Sequence, residues 1–133
     1  MASDVSEQVR AAVAGRAGYR CEYCLIQEDD AAFAHQIDHI VSRKHGGSSD
    51  LGNLAYACIL CNRCKGSNVA SIDTKTGEAV RLFHPRRDRW SDHFRLEGGV
   101  GEPMTEVGAA TVRVLRLNAP ERIVERQMLA GAG

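Results

Sequence analysis

Residues 34–66 read AHQIDHIVSRKHGGSSDLGNLAYACILCNRCKG, and the order of apolar runs, glycines and cysteines in this stretch decides the fold. Phe33, Ile37, Ile40 and Val41 predict a strand ending near Asp38 and His39, and Leu51, Leu54 and Tyr56 predict a second short strand. Between them, His45-Gly46-Gly47-Ser48-Ser49 is a loop. Beyond Cys58 the run Ile59–Lys65 contains no helix breaker, and Gly66 is placed to cap a helix there. The predicted order is strand, loop, strand, helix. On that helix Asn62 and Lys65 lie three apart and share a face, so Asn62 is expected to look toward the strand carrying Asp38 and His39. A carboxylate, an imidazole and an amide would then converge.

Working outward, Cys58 and Cys61 form one Cys-x-x-Cys pair, and Cys21 and Cys24 form another upstream. Each such turn aims two thiolates at one cation, and two turns together complete a tetrahedral shell with Zn–S distances near ~2.3 Å. No coordination position is left open, so a Zn²⁺ held this way is structural. A disulfide framework would need an oxidising compartment that the sequence does not signal, and it would leave one of the 5 cysteines over. Cys58, Cys61 and Cys64 also spell C-x-x-C-x-x-C, the opening of a bacterial iron–sulfur signature, but the fourth cysteine and its proline do not follow. Cys64 is read as a free thiol beside the zinc site.

The whole chain has 133 residues, with 44% hydrophobic and 26% charged, which predicts one globular domain and excludes wholesale disorder. Lys+Arg and Asp+Glu both number 17, so the net charge is zero, and coating of nucleic acid by bulk electrostatics is excluded while a local basic surface is not. The aromatic content of 5% is small for a core of this size, which favours a metal as additional stabiliser. No apolar run approaches the ~18 residues of a membrane span, and the start lacks a basic patch followed by an apolar stretch. The expected location is cytoplasmic, with no membrane partner.

The ordered set D-H-I, G-G, N-L and C-x-x-C-N-x-x-K-G resembles the HNH endonuclease family and its ββα-metal motif. The family's first-strand histidine, the asparagine before the second strand and the helix position match His39, Asn53 and Asn62, an H-N-N variant. The flanks GRAGYRCEYC, LFHPRRDRWSDHF and TVRVLRLN also look like those of short free-standing bacterial HNH proteins. The resemblance implies a small zinc-stapled α+β fold and hydrolysis of DNA phosphodiester bonds to 5′-phosphate and 3′-hydroxyl ends.

Within that resemblance each residue type has a physical reason. Asp38 and Asn62 supply the oxygen ligands that a hard catalytic cation, Mg²⁺ or Mn²⁺, prefers. An imidazole titrates near working pH, which suits His39 to take a proton from the attacking water. Asn53 is expected to bond loop backbone and hold His39 in place. His35, four residues before His39 and so on the same strand face, is a candidate contact to phosphate or metal-bound water, with a surface or packing histidine as the alternative. Arg43, Lys44, His45 and Lys65 are candidate backbone contacts, Lys65 alternatively bonding the motif's own loop. Arg86, Arg87 and Arg89 around Trp90 form a second basic cluster, suited either to a DNA backbone or to solvated arginines about a core tryptophan. A non-catalytic zinc-stabilised DNA-binding module is the alternative function, and an iron–sulfur electron carrier a third.

The division expected is a helix in 1–20, a zinc-bound ββα-metal core in 21–68, and an extension of short strands and helices in 69–133. Val5, Val9, Ala12 and Val13 recur at helical spacing after Ser3 as N-cap. Gln27–Asp30 reads as a solvated acidic turn, residues 73–77 as a turn between extended pieces, and Gly98–Pro103 as a flexible turn. Val107, Ala110, Val114 and Leu117 mark one helix face. Asn118 is expected to cap a last helix with Pro120 in its first turn, and Gly131–Gly133 to fray.

Overall fold

The computed structural model describes residues 5–132, with side chains described for 5–128. Helix α1 (Glu7–Arg16) opens at Ser6, whose hydroxyl accepts from the Val9 N–H at 3.2 Å; the expected cap Ser3 lies outside the described residues, as does Gly133. Strands β1 (Gln36–His39) and β2 (Leu54–Ala57) pair antiparallel with His39 opposite Leu54, and helix α2 (Ile59–Lys65) follows, its last turn closed by Gly66 at φ 52°. Strands β3 (Ala70–Ile72) and β4 (Ala79–Arg81) form a second hairpin. A short helix α3 (Trp90–His93) leads into strands β5 (Phe94–Glu97) and β6 (Val100–Pro103), then helices α4 (Glu106–Leu115) and α5 (Pro120–Ala132). The architecture is α+β, and the strand, loop, strand, helix order of 36–65 is the predicted one.

The larger of two core clusters joins both halves of the chain. The buried Cys21, Cys24, Cys58 and Cys61 belong to the same apolar cluster as Leu82, Phe83, Phe94, Ala110, Leu115 and Leu117. The extension is thus packed directly onto the metal-binding half, and burial of these side chains at roughly 25 cal/mol per Å² links the two. A second cluster joins Val13 and Ala14 of α1 to Leu54 and Tyr56 of β2. Arg16 reaches over it to donate to the Leu51 and Leu54 carbonyls at 3.0 and 2.7 Å.

Three expectations are corrected. Residues 94–103 are a β-hairpin rather than a flexible turn, because Gly98 and Gly99, at φ 56° and 82°, supply the left-handed pair that a two-residue hairpin loop requires. Asn118 does not cap α5: its amide exchanges hydrogen bonds with the backbone of Gly101, 2.9 and 3.0 Å, and ties the helix start to β6. Glu28, in the acidic turn read as solvated, accepts from the His35 N–H and the Tyr56 hydroxyl, both at 2.8 Å.

Candidate metal centre and nuclease site

The four thiols of Cys21, Cys24, Cys58 and Cys61 are buried and lie within 4.8 Å of one another, the single group of metal-ligating side chains among the described residues. Each knuckle is tightened from its own backbone: the Cys24 N–H donates to Cys21 Sγ and the Cys61 N–H to Cys58 Sγ, both at 3.4 Å. Cys24 Sγ and Cys58 Sγ are 3.6 Å apart. A tetrahedron with Zn–S near ~2.3 Å has S–S edges of roughly 3.8 Å, so the cage has the size of one four-sulfur-coordinated ion. Burial pushes the Cys21 and Cys61 thiols up, while hydrogen bonds from neighbouring thiols hold Cys24 and Cys58 down. Four sulfurs packed this closely cannot all ionise without a cation, and all-sulfur tetrahedral donors fit zinc. Cys64 is half-buried and outside the cage.

Alternation along β1 sends Gln36 and Asp38 to one face and Ile37 and His39 to the other. On the face toward α2, Asp38 Oδ2 accepts from the Tyr23 hydroxyl at 2.7 Å and Oδ1 from Lys65 Nζ at 3.3 Å. Lys65 Nζ also donates to the carbonyls of His39 and Ile40 at 3.3 and 2.9 Å, and both partners are almost fully buried. Burial pushes the Asp38 carboxyl up, against the opposite pull of Lys65 and Tyr23. Asn62 stands one turn before Lys65 and donates to Gln36 Oε1 at 2.6 Å. Asp38 and Asn62 therefore share the β1–α2 seam, each bonded to its own partner, while His39 points to the other face of β1; the expected convergence of all three is corrected to two on the seam and one behind it.

On the opposite face, half-buried His39 places Nε2 3.0 Å from Ser49 Oγ. Asn53 fixes the chain beyond it: Oδ1 accepts from the Val41 N–H at 2.9 Å, and Nδ2 donates to the Val41 and Ser48 carbonyls at 2.9 and 2.7 Å. The Asn53 carbonyl takes the Ile40 N–H at 2.8 Å. The second loop glycine has a steric reason, since a Cβ at Gly47 would lie 1.7 Å from the Val41 carbonyl oxygen.

Three candidate substrate contacts are withdrawn. Lys65 is buried against the motif's own strand and cannot meet phosphate. His35 precedes β1 and is fully buried, with Nε2 3.0 Å from the Ile26 carbonyl oxygen and its ring against Tyr56, so strand alternation does not place it beside His39. Arg86 is ion-paired with Glu22 across the fold. Arg43, Lys44, His45, Arg87 and Arg89 are exposed. Trp90 donates from Nε1 to the Tyr23 carbonyl at 2.9 Å and stacks on Phe94, an internal anchor.

Sequence reading missed Tyr23, Gln36 and Ser49, the direct partners of Asp38, Asn62 and His39. It also missed Arg122 of α5, which is buried and donates from Nη2 to Cys61 Sγ at 2.6 Å and to Cys58 Sγ at 3.5 Å. Tyr23 carried a signal, since it lies inside the first knuckle; Arg122 carried none. Among the described residues no helix is long and apolar enough to cross a membrane.

Compared with known protein families, residues 21–68 match the model of the HNH endonuclease family. No curated protein and no solved structure matches the chain.

Proposed function

Because residues 21–68 carry an HNH endonuclease domain, we propose that the protein hydrolyses phosphodiester bonds of nucleic acid, DNA foremost, leaving 5′-phosphate and 3′-hydroxyl ends. One observation carries this reading: a half-exposed imidazole, His39, sits at the end of a hairpin whose following backbone Asn53 clamps and whose reverse face presents oxygen donors. His39 acts as general base. In the tautomer that donates Nε2–H to Ser49 Oγ, the Nδ1 lone pair takes the proton from water. Asn53 is a positioning residue, since it touches only backbone.

The family implies a divalent cation, Mg²⁺ or Mn²⁺, and the donor set on the seam fits one. A carboxylate offers about four acceptor sites, and Tyr23 and Lys65 take two of those on Asp38; Asn62 spends its amide nitrogen on Gln36 and keeps its Oδ1. Asp38 and Asn62 would hold the ion, which supplies Lewis-acid stabilisation of charge on the phosphate and the leaving oxygen. Arg43, Lys44 and His45, exposed on the loop after β1, attract the flanking phosphates. The four-cysteine zinc is structural and takes no part in the chemistry.

The second reading, a zinc-stabilised nucleic-acid-binding module without turnover, is favoured by the closed Asp38–Lys65 pair. Nicking and linearisation of supercoiled plasmid by zinc-loaded protein with Mg²⁺ or Mn²⁺ separates the two. Cleavage lost on omission of the divalent ion and in the His39→Ala protein supports the nuclease; binding to plasmid without any cleavage supports the module.

A further inference from the structure

A cavity of about 320 Å³ opens where β1 ends, between that hairpin and the segment 81–88. Its size is at the lower end of the ~300–1,000 Å³ range of small-molecule sites. Its lining is apolar at Ile40, Val41, Val69, Leu82 and Phe83, and polar or charged at Lys65, Arg81, His84, Arg87 and the Asp88 carboxylate. Residues beyond 68 lie outside the matched HNH region, so most of this cavity's lining belongs to the extension.

The walls are pinned from behind. The Leu82 N–H donates to the Val69 carbonyl at 2.9 Å, and the Phe83 N–H to Thr111 Oγ1 at 2.8 Å. The turn 84–88 is closed on itself by Arg87 and Asp88 N–H bonds to the His84 carbonyl, 3.1 and 2.8 Å, and by the His84 N–H to Asp88 Oδ2, 2.8 Å. A cavity held this firmly loses little entropy when filled.

The cationic side chains of the lining are not equivalent, and the Asp88 carboxylate among them is taken up by Arg81 and the His84 N–H. Lys65 Nζ is spent on Asp38 and two carbonyls, and Arg81 is bound to both oxygens of Asp88 at 2.6 and 3.1 Å. Two donors remain. The Arg87 guanidinium is exposed and makes no hydrogen bond or ion pair among the described residues. His84 accepts the Arg86 N–H on Nδ1 at 3.2 Å, which leaves Nε2 to carry the ring's hydrogen. An apolar slot with unspent cationic and N–H donors in its lining matches a flat ring joined to an anion.

We infer that this cavity binds one nucleotide unit, its base against Ile40, Val41 and Val69 and its phosphate on Arg87 and His84. The inference rests on the nuclease reading only for the source of the nucleotide, an unstacked residue of the substrate strand. A free mononucleotide has the same chemistry. Extracting a base from a duplex costs a few kcal/mol, so single-stranded or distorted nucleic acid binds best.

The test uses full-length zinc-loaded His39→Ala protein, which keeps the nucleic acid intact. A single-stranded oligonucleotide carrying 2-aminopurine, a 5′-deoxymononucleotide and inorganic phosphate are titrated separately. Saturable binding of the oligonucleotide with a change in 2-aminopurine emission is expected, weakened roughly tenfold by Val69→Trp, which fills the mouth. Val69→Gln, of similar reach and with a polar end, weakens it too; Val69 is 42% exposed, so these variants keep the fold, which zinc content verifies. Arg87→Glu weakens binding in the same way. Mononucleotide binding with the same Val69 dependence assigns the site to free nucleotide and also upholds it. The inference is overturned if the Val69 variants bind like the parent, whether or not Arg87→Glu weakens binding, or if phosphate alone binds as tightly as the nucleotide. Wild-type protein that binds in this manner yet never cleaves defeats the nuclease reading alone.

Discussion

Arg122 Nη2 lies 2.6 Å from Cys61 Sγ, although the two residues are 61 positions apart. The same guanidinium donates through Nη1 to the Leu115 carbonyl at 2.7 Å, so it joins the end of α4, helix α5 and the second knuckle. Four thiolates around one Zn²⁺ leave a net charge of −2 in a buried place, and Arg122 offsets part of it. Arg122→Met should lower zinc affinity about 10- to 100-fold, the usual cost of losing an outer partner of a metal ligand. Competition with a chromogenic chelator measures it, once metal analysis of the wild type gives the expected one zinc and no iron per chain; unchanged zinc retention would show that the contact is incidental.

The buried Lys65–Asp38 pair predicts an asymmetric double-mutant cycle. Lys65→Met leaves an unpaired carboxylate in the core and should cost about 3–5 kcal/mol in urea unfolding. Lys65→Met combined with Asp38→Asn should recover a large part of that loss, because both charges are then gone. If the double variant is as unstable as the sum of the singles, the pair does not couple.

His39→Ala should lower cleavage about 10²- to 10⁴-fold, the range of a lost general base, while zinc content and circular dichroism stay as in wild type. Ser49→Ala should have a smaller effect, since it frees the ring without removing it. Undiminished cleavage by the His39 variant would move the base elsewhere.

Acid should reveal Asp88. Burial alone would push its carboxyl up, but the paired Arg81 bonds and the His84 N–H outweigh burial and hold it below the usual range. A depressed carboxylate adds stability that is present above its unfolded value, about 3.9, and lost as pH falls through the folded one. Asp88→Asn should therefore cost about 1 kcal/mol at neutral pH, and its melting temperature should approach that of wild type below about pH 4. A gap that stays constant into acid would exclude this linkage.

The ββα order was legible because each element of 34–66 is announced locally, by apolar runs, paired glycines and a breaker-free helix between Cys58 and Gly66. The hairpin of 94–103 also had a local signal, Gly98-Gly99, hidden by strands only four residues long. Contacts between distant segments left no such trace. Arg86 sits in a basic run that reads as surface, yet its partner Glu22 is 64 positions away, and Asp38 gives no hint that Tyr23 and not solvent faces it. His35 was misread by extending strand alternation one residue before β1 begins. Side-chain identity revealed which chemistry was present; only tertiary packing decided which groups were already spoken for.

Gly47 carries a consequence for genetics. With the Val41 carbonyl oxygen 1.7 Å from where its Cβ would be, no other residue fits without moving the chain that follows His39. A screen for inactive variants would collect Gly47 substitutions beside those of His39, and loss of phenotype alone would rank a position with no reactive atom as though it did chemistry. Yield of folded, zinc-loaded protein is what tells the two apart.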